Sequence, residues 1–334
     1  MTQRDMSMCE LERTADLKSL PNHEKIQELL EASIAENTRR AYTSRLIGFI
    51  SWCQNVQRSF LPADPETLLA YLAYLGQNRR SSSTVDQTLA AIKLFHESHN
   101  FESPTDNVLV RKARTGYRRV YGTRSRKKAA ITDDLLRQIV HAAGNGKSDD
   151  RHRLVYLRDM ALLLIGFAGA FRRSELVNLD VEDLEWRFQG EKTVLLVNVG
   201  KSKADQEGQG MMKAIFPAED KSCCPIEFLK AWMTEAKIVS GAVFRRFVRG
   251  NRVSDKRLSD QSVACIVKKY ALAADLAVDV AGHSLRSGFV TSAIRHGKGE
   301  RSIMNQTGHC SVATLRGYYQ RESAVEDNAA ENLL

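Results

Sequence analysis

Apolar residues recur at three- and four-residue steps through the first third of the chain. Ile26, Leu29 and Leu30 form one such face, and Tyr42, Leu46, Phe49, Ile50 and Trp52 a second. Leu68, Leu69, Tyr71, Leu72 and Leu75 form a third, and Val85, Leu89, Ile92, Leu94 and Phe95 a fourth. That period predicts successive amphipathic helices. The breaks carry start signals: Asn37-Thr38 as a cap, Pro62 and Pro65 at the third helix, Ser81 to Thr84 at the fourth. Residues 23–110 thus read as a helical domain with short connections, after a polar, flexible segment over residues 1–22.

The pattern then changes. Residues 111–128 hold nine Arg or Lys and no acid, interrupted by glycines and a serine. Such a run reads as a linker over residues 111–130 lying along phosphates rather than as a core helix. Patterning resumes at Ile131-Thr132-Asp133-Asp134, a capped helix start. A second helix starts near Arg151 and runs into the apolar stretch Met160–Phe171. KTVLLVNV at 192–199 reads as a buried strand, GKSKADQEGQG as a polar turn and MMKAIF as the return strand. Helices follow at Pro225–Ala236 and Asp260–Ala274. The expected fold is mainly α, with a small antiparallel β-sheet in a second domain over residues 131–322. Residues 323–334 form a short amphipathic tail.

Composition narrows the partner. The chain has 334 residues, 43% hydrophobic and 27% charged, with net charge +9 and pI ≈ 9.3. That balance suits a polyanion. No apolar run reaches the roughly 18 residues of a membrane span, and the N-terminus has no apolar signal region, so a cytoplasmic, nucleoid-associated protein is expected. Six cysteines are scattered with no C-x-x-C, and the adjacent Cys223-Cys224 make a poor metal chelate. They read as reduced thiols, and no metal is expected. His96 and His99 have helical spacing for a metal but no further ligand nearby.

The candidate chemistry lies between His283 and Tyr319. His283 and Arg286 are three apart and share a helical face. His309 follows Gly308, which can end a helix, and Tyr318 comes nine residues later. An arginine, two histidines and a phenol suit a covalent nucleophile on a phosphodiester with its electrostatic clamp. Tyr319 is adjacent, but about 100° away around a helix. Upstream, Arg172 and Glu175 are also three apart, so Glu175 can hold that guanidinium in place. Taken singly, each group could be a surface ion pair or a satisfied structural histidine.

Jointly these residues resemble the tyrosine recombinases, the group of phage integrases, Cre and the Xer recombinases. In the family's Gly-x-Arg-x-x-Glu-Leu box, Arg172 takes the arginine place and Glu175 the glutamate, within Gly-Ala-Phe-Arg-Arg-Ser-Glu-Leu. The chain departs slightly from the common pattern, with Phe171 where Leu is frequent and an extra basic neighbour in Arg173. Its His-x-x-Arg box, Gly-His and later tyrosine are also matched. The resemblance implies a two-domain DNA clamp with an N-terminal core-binding (SAM-like) domain. Arg172 and Arg286 would grip the scissile phosphate, His283 would move a proton, His309 would donate a hydrogen bond and Tyr318 would attack. A hairpin lysine would protonate the leaving 5′ oxygen. Lys203, nearest the turn, is preferred, and Lys201 remains the alternative. Arg39, Arg40, Arg45, Arg118, Arg119, Arg124, Lys127 and Lys201 are candidate DNA contacts. The implied partners are double-stranded DNA with inverted half-sites and a homotetramer that exchanges C-terminal tails. The implied chemistry passes through a Holliday junction and needs no cofactor, neither metal nor ATP. A type IB topoisomerase and a non-catalytic DNA-binding protein are the alternatives.

Overall fold

The computed structural model describes residues 25, 33–122, 128–145, 150–190, 192–200, 210–250, 252–308, 312, 315, 317 and 318. The chain divides into two compact units, Met1–Arg126 and Lys127–Leu334.

The first unit contains α1 (Glu36–Asn55), α2 (Pro65–Gln77), α3 (Ser82–Ser98) and α4 (Val108–Tyr121). Phe49, Leu68, Leu72, Ile92 and Phe95 form its core. The Asp64 side chain accepts from Thr67 N at 2.5 Å, with Pro65 at the first helical position. Ser81 caps α3 in the same way, accepting from Thr84 N at 3.2 Å. The expected Asn37-Thr38 cap is not used: α1 starts at Glu36 behind Ala35, with no side-chain cap. The face at Ile26, Leu29 and Leu30 lies outside the described residues.

Most of the expected linker is helical. Asn107 caps α4, accepting from Leu109 N at 2.8 Å. Val110, Ala113 and Tyr117 line its buried side, and the Tyr117 hydroxyl donates to Arg80 O at 2.6 Å. The basic residues occupy the remaining faces and mask this narrow apolar stripe in the sequence. Gly116 faces open space, so it adds no packing constraint there.

His96 is structural. Ala63 N donates to its Nε2 at 2.9 Å, leaving Nδ1 to donate to Ile92 O at 2.8 Å. Burial holds its pKa below the usual histidine value.

The second unit contains α5 (Asp133–Asn145), α6 (Asp150–Ala168), α7 (Arg173–Val177), β1 (Leu184–Gln189), β2 (Lys192–Val199), β3 (Met211–Ile215), α8 (Pro225–Glu235), β4 (Arg245–Val248), β5 (Arg252–Arg257), α9 (Asp260–Ala273), α10 (Ser284–Arg295) and α11 (Glu300–Thr307). Strands β1, β2 and β3 form an antiparallel sheet in that order, and β4 pairs with β5. The β2–β3 hairpin is the one expected. Neither β1 nor the β4–β5 hairpin was expected, because RVSDKR is largely polar and Phe188 of β1 is exposed.

Helix α6 runs through the core, with Met160, Ala161, Leu162 and Leu163 fully buried. It packs along α8, whose Trp232 indole donates to Val243 O at 3.0 Å. The helix stops at Ala168 rather than Phe171, because Ala170 takes a left-handed conformation, φ +47°. Alanine seldom adopts that conformation. Helix α10 lies close against the backbone that leads into α5: a Cβ on Gly288 would stand 1.6 Å from Ile131 O. Only glycine permits that approach. Among the described residues no helix is long and apolar enough to cross a membrane.

Candidate active site

The site is assembled around the turn Gly169-Ala170-Phe171 that ends α6. Arg172 follows it as the residue preceding α7, and its backbone N donates to Glu175 Oε2 at 3.0 Å. The Arg172 guanidinium pairs with Glu175 Oε1. The three-residue spacing thus places carboxylate and guanidinium together, as the sequence predicts. Burial alone would raise the Glu175 pKa. The Arg172 backbone N–H, Lys213 and the Arg172 guanidinium outweigh it and hold the pKa below the usual carboxylate range.

Arg286 enters from the first turn of α10. It is 1% exposed, and its Nη1 donates to Ala170 O at 2.7 Å. Its Nη2 is buried and has no hydrogen-bond partner among the described residues. An unpartnered buried donor on a charged group is costly. Burial, with Arg172 nearby, lowers the Arg286 pKa to about 10, so the side chain remains a cation at neutral pH. Tyr318 is close enough to act on Arg286 electrostatically. Tyr318 itself is half-buried and packs beside Val290, Ala293, Ile303 and Leu315.

His283 precedes α10 by one residue, one helical turn from Arg286. Desolvation, followed by Arg286, Arg172 and Arg173, lowers its pKa below the ordinary histidine value. The imidazole is therefore neutral at pH 7 and can accept a proton. Helix α11 ends where expected: Gly308 is left-handed (φ +68°), and its N–H donates to Met304 O at 2.7 Å. Gln306 ties α11 to the site, donating from Nε2 to Ala168 O and Ala214 O at 2.9 Å each.

The site also contains a lysine that sequence reasoning missed. Lys213, on β3, is 1% exposed, and its Nζ donates to Gly169 O at 2.7 Å. The same Nζ lies 3.8 Å from Glu175 and 4.7 Å from the Phe171 ring centroid. Burial lowers its pKa to about 7, with Glu175 opposing and both arginines assisting. It braces the turn whose next carbonyl seats Arg286, which makes it a positioning residue. A signal was present: period-two alternation in MMKAI puts Lys213 on the inward face with Met211 and Ile215.

Lys201, Lys203, His309, Arg124, Lys127 and Tyr319 lie outside the described residues. Of the candidate DNA contacts, Arg40 pairs with Glu36 at 3.0 Å and Arg118 with Asp86 at 2.6 Å. Arg45 reaches Gln87 at 3.5 Å. Arg39 is half-buried on α1 and Arg119 exposed on α4.

Two arginines, one paired with a carboxylate and one seated on a carbonyl, with a histidine and a tyrosine at hand, form an anion-gripping site on a helical unit with a small sheet. Comparison with known proteins agrees. Residues 129–324 match the phage integrase family, and residues 26–98 the phage integrase N-terminal SAM-like domain. An integrase/recombinase xerD homolog from Selenomonas ruminantium is 37% identical over 313 residues, covering 92% of this chain and 89% of the relative. Two solved structures share the fold. One is the Tn1549 transposon integrase with transposon right end DNA (TM-score 0.58, 12% identity, 94% of each chain). The other is the XerH site-specific recombinase on a palindromic difH substrate (TM-score 0.57, 18% identity, 87% of this chain and 79% of that one). The fold and the family are those of a tyrosine recombinase, an enzyme that breaks and rejoins DNA. The chain belongs to the phage integrase family.

Proposed function

We propose that this recombinase exchanges strands at a specific site through a 3′-phosphotyrosine on Tyr318. The observation that carries the reading is the buried, unpartnered Nη2 of Arg286 beside Arg172. A non-bridging phosphate oxygen would supply the missing acceptor. Guanidinium suits this role because it keeps its charge and offers paired donors. Charge grows on those oxygens as the phosphorus becomes pentavalent, so fixed cations stabilise the transition state more than the ground state.

In the forward step His283 accepts the phenol proton as the Tyr318 oxygen bonds to phosphorus. The bond from phosphorus to the 5′ oxygen breaks, and Lys203, or Lys201, protonates that oxygen. His309 donates a hydrogen bond to the phosphate. The ester energy is retained, so the 5′-hydroxyl of a partner strand reverses the step without ATP, and the arginines supply the charge a metal would otherwise bring. Four copies on two duplexes, each site built from inverted half-sites, exchange strands in pairs through a Holliday junction. The tail, residues 323–334, passes between neighbours. The enzyme works where its DNA lies, in the cytoplasm at the nucleoid.

The test uses a DNA substrate bearing the recombination site, nicked next to the cleavage point. Wild type is expected to form an adduct that survives boiling in detergent, and Tyr318→Phe to form none. Loss in Tyr319→Phe alone would move the nucleophile by one residue. No adduct from wild type would reject covalent catalysis.

A further inference from the structure

We propose that His141, Asp220 and Cys223 bind one zinc ion and clasp α5 to the turn that leads into α8. His141 Nε2 lies 3.8 Å from Asp220 Oδ2 and 4.0 Å from Cys223 Sγ, and all three donors fall within 4.8 Å of one another. Tetrahedral zinc, with bonds of about 2.0–2.3 Å, sets its donors roughly 3.3–3.6 Å apart. Closing the two histidine pairs takes shifts of about half an ångström, and closing Asp220 on Cys223 takes at most about 1.3 Å. His141 and Asp220 are exposed and free to make them, whereas Cys223 is buried and fixed.

The supporting shell is already built. Ser222 donates to Asp220 Oδ1 twice, from N at 2.9 Å and from Oγ at 2.6 Å, which aims Oδ2 at the histidine. Cys223 N donates to Asp220 O at 3.1 Å, locking both ligands into one turn (Lys221–Cys223). A thiolate and a carboxylate would cancel the charge of a divalent ion, with imidazole neutral. The nearby cation, Arg137, is offset by Asp133 and Asp134 at 3.8 and 3.7 Å. A mixed sulfur, nitrogen and oxygen set favours zinc over magnesium or calcium, which take oxygen ligands. A cavity of about 470 Å³ lined by Arg137, Asp220 and Cys223 gives a fourth, water ligand a path. Cys223 and His141 are 82 positions apart, so no spacing motif reveals the set. It uses no residue assigned to DNA cleavage.

Zinc sulfate would be titrated into reduced, metal-stripped full-length protein against a chromophoric chelator. One equivalent is expected for wild type and for Cys265→Ser. It should be lost in each of His141→Ala, Asp220→Asn and Cys223→Ser. In wild type, zinc should slow alkylation of Cys223 at least tenfold. The two exposed-residue variants should fold and cleave DNA as wild type does, which separates loss of metal from loss of structure. No stoichiometric zinc in wild type would overturn the proposal. So would zinc retained by His141→Ala or Asp220→Asn, since a lone thiol would then be the binder.

Discussion

Among the described residues two arginines are buried in the second unit, and their surroundings differ. Arg158 donates to Asp159 Oδ1 from Nε at 2.9 Å and from Nη2 at 2.5 Å, and to Arg245 O at 3.3 Å. Its guanidinium also lies 4.7 Å from the Phe247 ring centroid. Arg286 is more deeply buried, yet it has one carbonyl, no direct carboxylate partner and one nitrogen with no acceptor among the described residues. Burial by itself therefore does not mark function. A structural cation has its donors matched within the fold. A functional one retains a donor that its ligand completes, and the fold bears the cost.

The contrast is tested most severely by replacing each arginine with methionine. Arg286→Met should lower DNA cleavage about 10²–10³-fold, as for loss of one transition-state donor. Its stability should be unchanged or raised by about 1–2 kcal/mol, because an unmatched buried charge has gone. Single-turnover cleavage and urea unfolding read the two quantities. Arg158→Met should do the reverse. Leaving Asp159 buried with Lys269 at 3.5 Å and the Tyr270 hydroxyl in place of a guanidinium should cost about 3 kcal/mol of stability, while the folded fraction keeps its cleavage rate. A stability loss in Arg286→Met as large as that in Arg158→Met would abolish the distinction.

Lys213 lies between these cases, with carbonyl acceptors and Glu175 near but not fully paired. Its pKa of about 7 in the folded state compares with about 10.4 in the unfolded chain. Between those values the unfolded chain binds more protons, so this residue makes stability rise with pH above about 7. Below pH 7 the full cost of the buried charge applies. Lys213→Met should flatten that rise, by up to about 1.4 kcal/mol per pH unit, in urea midpoints measured from pH 7 to 9.5. An identical slope in the variant would contradict the assignment. It should also slow cleavage, since the turn seating Arg286 loses its brace.

The smallest expected effect concerns His283. Arg173 contributes the last of the charges that lower its pKa, and it is partly exposed, 4.0 Å from Asp260. Arg173→Gln should shift the acid limb of the cleavage rate upward by a few tenths of a pH unit. A downward shift would mean that Arg173 does not act on His283.

Much of this was legible in the chain. Pro65 and Ser81 marked where α2 and α3 begin, because helix start signals are local chemistry. The β2–β3 hairpin followed from a β-branched run, a polar turn and a return strand. Arg172 with Glu175, and His283 with Arg286, followed from helical spacing. What stayed hidden involved contacts between distant segments. The stripe of α4 was masked by charges on its other faces, and β5 is a strand because β4 pairs with it, not because RVSDKR favours one. Lys213 carries no motif of its own, and its strand register turns it inward.

The sequence by itself determined the residue types, their spacing and the helix starts, and with these the family and the chemistry it can attempt. Spacing and capping act over a few residues, so the order of residues fixes them directly. The tertiary structure decided which charges are matched and which are left open. It set Arg158 on its neighbour Asp159 and beneath Phe247, Arg286 on the carbonyl of a left-handed alanine, and Lys213 under the same turn. Those outcomes depend on burial and on partners brought together across the chain, and desolvation gives a charge its consequences only once the fold has removed the water around it.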